Sequence, residues 1–386
     1  MDWRKTASRA VAVSVLCGLP ALAGCQFFFS CESKASCGGS DTTTSSNIIY
    51  AGNSSTGSTY LNGYSNTSGV LAAVTSSPFS LGYVPSAMVV NEAGTYLYVA
   101  TQTGIIYSYV ISSTGTLSGV VSQAQPGYAE ASMDVSPDGK WLFAIDGSTS
   151  TAPILHIYAI GTSAALTETT QVTLLSNTTY AIVPKMVRVS PDNDYIAVAN
   201  GSGGSEIVAF DTSNGTVSST VQYLGTQSSG DGDNAIAWDN NDRLYLARTT
   251  AVTSPTQYSV LVYSATSGAY VTTAIPSSYT TGTAPFSMTF ADDYAYLYVG
   301  NRTDSTISMF SQASGALTSL GTVSAPTNVS ALTADQSGNY VVAAGYAASG
   351  GLQIYAVGST GGLTAQSTTE ATTATTSVPT TLAATH

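Results

Sequence analysis

Charge is what this chain has least of. Only 8% of its 386 residues are Asp, Glu, Lys or Arg, against about 25% in ordinary soluble domains. Long amphipathic helical stretches are missing, histidine occurs twice and cysteine four times. Without helical periodicity the chain reads as all-β. With so few charges, hydroxyls and amides must solvate the surface, which fits a protein exported from the cytoplasm better than a cytosolic enzyme. The scarcity of Lys and Arg also excludes nucleic acid as a partner, because an acidic chain repels a phosphate backbone.

The basic residues are concentrated at the start. Arg4, Lys5 and Arg9 precede an apolar run over residues 10–23 that is too short to span a bilayer, and the run ends in Leu22-Ala23-Gly24-Cys25. This pattern resembles the lipobox of bacterial lipoproteins. The resemblance implies a signal peptide over residues 1–24, lipidation of Cys25 and an envelope location, with the membrane contacted through the lipid alone. Gln26 stands where Asp would mark inner-membrane retention, so the outer membrane is expected. Losing residues 1–24 takes the basic count from 10 to 7 and the acidic count from 22 to 21, a net charge of −14. Residues 25–46 read as a polar tether. Within it, Cys31 and Cys37 are placed to close a small disulfide loop in an oxidising compartment.

What the chain does have is a repeat. The segment "SPDGKWLFAIDG", from Ser136, is a polar turn leading into a short apolar strand, and it recurs. Aligned on the strand after the turn, the copies place Tyr50, Tyr98, Phe143, Ala197, Tyr245, Tyr298 and Val342 in one column. A following strand carries Tyr64, Tyr109, Tyr158, Phe210, Tyr263, Phe310 and Tyr355, and a polar turn, usually with Gly, comes next. A strand before each turn centres on Met88, Met133, Val187, Ile236, Met288, Leu332 and Leu382. With a weaker strand after the Gly turn, this makes seven four-stranded units, predicting a seven-bladed β-propeller over residues 47–386. The first unit lacks its leading strand and the last residues supply one, so the C-terminal strand is expected to close the ring on the N-terminal blade.

The units "YLYVATQTGIIYSYVISSTGTL" and "SPDGKWLFAIDG" resemble the bacterial seven-bladed propeller lactonases, the family of the propeller-type 6-phosphogluconolactonases. Members of that family commonly carry Pro-Arg-His at the start of an inner strand near the channel mouth. Here the matching triplets are Pro85-Ser86-Ala87, Glu130-Ala131-Ser132, Pro184-Lys185-Met186, Asp233-Asn234-Ala235, Pro285-Phe286-Ser287, Val329-Ser330-Ala331 and Pro379-Thr380-Thr381. None has the histidine. His156 falls in a third strand and His386 is the final residue. Lactone hydrolysis would therefore need a carboxylate base and a cationic oxyanion stabiliser.

Residues suited to that work map to the mouth: Glu130, Lys185, Asp233, Arg248 and Arg302, with Asp231, Asp146, Asn200 and Asn301 nearby. The Asp-rich "SGDGDNAIAWDNND" does not follow calcium-loop spacing, and "GSGGS" from Gly201 opens no helix, so neither a metal nor a cofactor is expected. Asp134 and Arg188, opposite charges at equivalent positions of consecutive inner strands, are expected to form an ion pair. The sequence thus leads to a monomeric, lipid-anchored propeller that binds a small polar ligand or an envelope protein or glycan. The alternative is a lactone hydrolase with a rebuilt site.

Overall fold

The computed structural model describes residues 47–53, 59–147, 153–174, 182–224, 232–250, 256–266, 269–274, 278–345, 351–366 and 379–385. Two units divide the chain, Met1–Thr44 and Ser45–His386. The signal and tether segments with Cys25, Cys31 and Cys37, together with Asp231 and His386, lie outside the described residues.

Seven antiparallel sheets build the second unit. Blade 2 shows the pattern, running outward as Pro85–Val90, Tyr96–Thr101, Ile106–Ile111 and Leu117–Ala124. The protein is the seven-bladed propeller with four-stranded blades that the repeat predicts. Blades 1 and 5 each add a two-residue strand beside the third strand, Phe79–Ser80 and Tyr279–Thr280, which the repeat does not announce.

The strand after each opening turn is held between two neighbouring blades and has no solvent face. Ile48–Asn53 and Trp141–Asp146 are buried at every position, which is why these segments are continuous apolar runs. The core is accordingly a ring of inter-blade layers. Trp141, Phe143 and Ile145 of blade 3 pack on Val187, Ile196, Val198 and Phe210 of blade 4, with Phe143 and Phe210 edge to face at 5.0 Å.

A directional latch joins these layers. Tyr50 Oη donates to the Gly115 carbonyl at 2.7 Å, Tyr298 Oη to the Gly361 carbonyl at 2.9 Å, and Trp141 Nε1 to the Thr212 carbonyl at 3.0 Å. In each case an aromatic side chain from one blade reaches the outer turn of the next. The glycines of those turns make the room. A Cβ at Gly361 would lie 2.2 Å from the Tyr296 ring, and one at Gly215 would lie 2.2 Å from the Trp141 ring. Both glycines also sit in the left-handed region, at φ 80° and 73°.

The ring closes as expected. Ile49, Tyr50 and Ala51 pair with Ala384, Ala383 and Leu382, and the Ile48 N–H donates to Thr385 Oγ1 at 3.0 Å. Across the junction of blades 7 and 1, Asn47 and Asn66 both donate to Asp335 Oδ2, at 2.9 and 3.0 Å. In blades 2 to 6 the pairing of the outer strand is interrupted by a bulge beside the third-strand aromatic: Tyr109, Tyr158, Phe210, Tyr263 and Phe310.

One expectation is corrected. The close ionisable pairs among the described residues are Lys140–Asp138, His156–Glu168, Arg243–Asp239 and Arg248–Asp233, and Asp134–Arg188 is not one of them. Asp134 Oδ2 instead accepts the Val189 N–H at 2.9 Å. Arg188 Nη1 donates to the Val187 carbonyl at 2.8 Å and to the Met133 carbonyl at 3.5 Å. Inner strands of adjacent blades share no ladder, so their channel-side backbone groups need partners. Asp134 supplies one across the blade boundary, and Arg188 supplies one within its own strand and one across.

Ending the chain at residue 378 removes the closing strand, unpairs the backbone of Ile49–Ala51 and uncovers the layer that holds Ala383 and Ala384. The shortened protein is expected to melt far below the full chain or to be lost from the soluble fraction. Thermal unfolding followed by circular dichroism checks this.

Candidate functional site

The inner strands start irregularly, and always in the same way. In blade 2, Pro85 pairs with Thr101 and Ala87 with Ala100, leaving Ser86 unpaired. The same skip isolates Ala131, Asn234, Phe286, Ser330 and Thr380 in blades 3, 5, 6, 7 and 1. In blade 4, the ladder starts at Met186–Ala199, one residue after Lys185. In six of the seven triplets the middle residue is thus a bulge at one rim of the channel, and in blade 4 it stands just before the ladder. A bulge bends the strand and re-aims a side chain, so the rim can vary while the core below it stays constant.

Lys185 and Arg302 are the cations of this rim. The aliphatic stem of Lys185 passes over Gly201, where a Cβ would stand 3.5 Å from Cε. Burial lowers the pKa of its ammonium, and the nearby Arg302 lowers it further. Arg302 belongs to blade 6 and Lys185 to blade 4, and the charge of the one is felt by the other. Arg302 lies over the Phe286 ring, with Cζ 4.3 Å from the centroid, a cation–π contact that fixes the guanidinium. The sequence reading passed over Phe286, although it occupies the same triplet position as Lys185.

Asp233 and Arg248 are brought together but are turned toward each other. Arg248 Nε and Nη2 donate to the two oxygens of Asp233 at 2.5 and 2.8 Å, and Ser205 Oγ donates to Oδ2 at 2.7 Å. Asp233 is fully buried, and its backbone exchanges two hydrogen bonds with Gly201. This bidentate pair braces the loop beside Lys185. It makes a poor base, because both carboxylate oxygens are already engaged by donors.

Glu130 is placed elsewhere. It is 1% exposed, and neither carboxylate oxygen has a hydrogen-bond partner. Burial raises its pKa to about 9, with further contributions from Asp146 and Glu168. No cation of the rim acts on it, so Glu130 is a neutral acid at pH 7. It shares the interface between blades 2 and 3 with Tyr158, whose hydroxyl is buried without a partner and titrates well above the usual range, through burial first and then Glu168 and Glu130. His156 is there as well, 1% exposed, with Nδ1 2.6 Å from Glu168 Oε1 and Nε2 unpartnered. The five residues proposed from sequence therefore fall into three groups: Lys185 with Arg302, Asp233 with Arg248, and Glu130 apart. Among the described residues, no three His, Cys, Asp or Glu side chains are grouped to hold a metal.

A seven-bladed propeller with a variable rim above apolar inter-blade layers defines the class. The family model described as "Lactonase, 7-bladed beta-propeller" matches residues 47–379, and the chain belongs to that family. No curated protein sequence matches it. Among solved structures, the chain is similar to the periplasmic gluconolactonase of Pseudomonas aeruginosa at 17% identity and a TM-score of 0.69, covering 88% of this chain and 99% of that one. It is also similar to a Bacteroides fragilis protein proposed to be a 6-phosphogluconolactonase, at 16% identity and a TM-score of 0.70, covering 89% and 99%.

Because the folded state holds Glu130 protonated to about pH 9, its contribution to stability is complete below about pH 4.5 and is lost as the pH rises toward 9. Between pH 5 and pH 8 this amounts to about 4 kcal/mol at 1.36 kcal/mol per unit. Glu130→Gln is expected to remove that slope, leaving the variant more stable than the parent at pH 8 and little different at pH 5. Urea unfolding at the two pH values measures it.

Proposed function

We propose that the chain hydrolyses a sugar lactone at the rim that holds Lys185 and Arg302. The observation that carries this reading is a half-buried lysine from blade 4 whose pKa is lowered by burial and by Arg302 of blade 6, itself seated on an aromatic ring. Membership of the lactonase family and likeness to a gluconolactonase and a proposed 6-phosphogluconolactonase support it.

The chemistry needs a proton acceptor for water and a cation for the oxyanion. Burial, and after it the charge of Arg302, makes the Lys185 ammonium give up its proton more readily than an exposed lysine does. In this scheme Lys185 Nζ takes a proton as water adds to the lactone carbonyl carbon, and Arg302 receives the negative charge on the carbonyl oxygen. When the tetrahedral adduct collapses, the ring C–O bond breaks and the Lys185 ammonium returns its proton to the departing ring oxygen. The product is the open hydroxy acid. The carboxylate base expected from sequence is replaced here, since Asp233 is occupied and Glu130 is buried and protonated.

A binding module without catalysis is the second reading, favoured by Met186 standing where the family carries its histidine. Assay against gluconolactone and 6-phosphogluconolactone separates the two. Hydrolysis is expected to rise with pH as Lys185 loses its proton. Both Lys185→Met and Lys185→Arg should abolish it, since arginine keeps the charge but cannot accept a proton. An active Lys185→Arg variant would remove the lysine from this role.

We also propose that Cys25 is lipidated and anchors the protein in the envelope, a reading supported by the Leu22–Cys25 motif. Cys25→Ser is expected to move the protein from the membrane fraction to the soluble one and to prevent labelling by a fatty-acid analogue.

A further inference from the structure

On the face opposite this rim, a cavity of about 370 Å³ opens between blades 5 and 6. Asn240, Asn241, Arg243, Asp293, Tyr294 and Gln312 line it. Its floor is built with care. The buried Asp239 carboxylate accepts Arg243 Nε at 2.7 Å, Gln312 Nε2 at 2.8 Å and the Tyr245 hydroxyl at 2.9 Å, all on Oδ2. Its other oxygen accepts the N–H groups of Asn241 and Arg243 at 2.9 and 3.1 Å. One carboxylate therefore holds side chains of both blades, and Arg243 keeps further N–H donors for the cavity.

The wall contributed by blade 6 is strained. Asp292, Asp293 and Tyr294 are three consecutive non-glycine residues in the left-handed region, at φ 51°, 51° and 65°. Such conformations persist where the surroundings over-determine them, and they concentrate at ligand sites. Tyr294 anchors the turn by packing on Phe290, with centroids 5.5 Å apart, and Phe290 packs in turn on Tyr245 at 5.0 Å.

The chemistry of the lining selects the ligand. Ordinary small-molecule pockets are mostly apolar, whereas this one offers amides, a guanidinium and a carboxylate, so a lipid or aromatic ligand would leave them unpaired. An anion is also disfavoured. Arg243 is already balanced by Asp239, while Glu92, Asp242 and Asp293 add negative charge around Tyr294 and, after burial, help to raise its phenol pKa. A ligand that both donates and accepts hydrogen bonds through adjacent groups and carries no charge satisfies every condition. We propose that this cavity binds a neutral saccharide. At about 370 Å³ it lies near the lower end of the ligand-pocket range, so one or two sugar rings are the expected occupant.

The experiment is a titration of the full-length protein with neutral mono- and disaccharides, followed by saturation-transfer NMR, beside co-sedimentation with insoluble neutral polysaccharides. Saturable binding in the millimolar range or tighter is expected. The two arms show whether the sugar is taken free or as part of a polymer. Ala313→Trp, which fills the cavity, and Asp293→Ala, at its exposed rim, should each weaken binding about tenfold or more, a 1.4 kcal/mol change, while Lys185→Met should not. The proposal is overturned if no neutral sugar binds in either arm, or if binding survives in both cavity variants while they retain the parent circular-dichroism spectrum. Tighter binding of a sugar phosphate than of the parent sugar, lost in the same variants, would also overturn it.

Discussion

The fold depends on each blade's second strand packing between its neighbours, and at three boundaries an aromatic side chain of one blade also reaches the outer turn of the next. A propeller has no single core, only layers, and each layer must specify which blade lies beside it and at what height. The hydroxyl of Tyr50 on the Gly115 carbonyl, and that of Tyr298 on the Gly361 carbonyl, set both at once. Burial alone is non-directional and would tolerate sliding, whereas a hydrogen bond from a buried phenol does not, because sliding would leave the hydroxyl unpaired. The turn glycine and the strand aromatic are therefore one device divided between two repeats.

That division explains what was legible in the sequence. The aromatic columns and the glycine turns recur because each blade packs its second strand against its neighbours, so blade number, strand count and ring closure could all be read. The turns opening the second strand were legible for a similar reason: Ser136, Ser190 and Asp335 each accept the N–H of the strand residue five positions on. The site was less legible. Its candidates were gathered by position along the strand, which fixes height on the blade but not the direction of the side chain. Asp233 and Glu130 occupy the same triplet position, yet one is bound by Arg248 and Ser205 while the other lies without partners between blades. Tyr158 and Glu168, which act on Glu130 or are acted on by it, are 28 and 38 residues from it in the chain. The repeat marks Tyr158 as a blade aromatic and says nothing of its nearness to Glu130.

The bulged triplets connect fold to chemistry. Removing the middle residue from the ladder frees it from the requirement of fitting a blade layer, so Ser, Ala, Asn, Phe and Thr occupy equivalent places, and Lys185 stands just outside its ladder. The residues just after it must be small or apolar enough to pack. The rim thus varies where substitution costs the fold little, and propellers of one architecture can differ in activity.

The outer bulges bear on how copies of this protein coexist. Seven outer strands leave seven edges with unpaired backbone groups, and among them Glu168 is the one charged residue. Proteins usually discourage strand-to-strand joining with lysines on such edges, a means this charge-poor chain lacks. In blades 2 to 6 the interrupted ladder twists the edge instead, so a straight strand offered by another copy would find its hydrogen bonds out of step. Solubility at high local concentration is then guarded by backbone shape where other proteins use repulsion, and replacing a surface threonine there would matter less than straightening the strand.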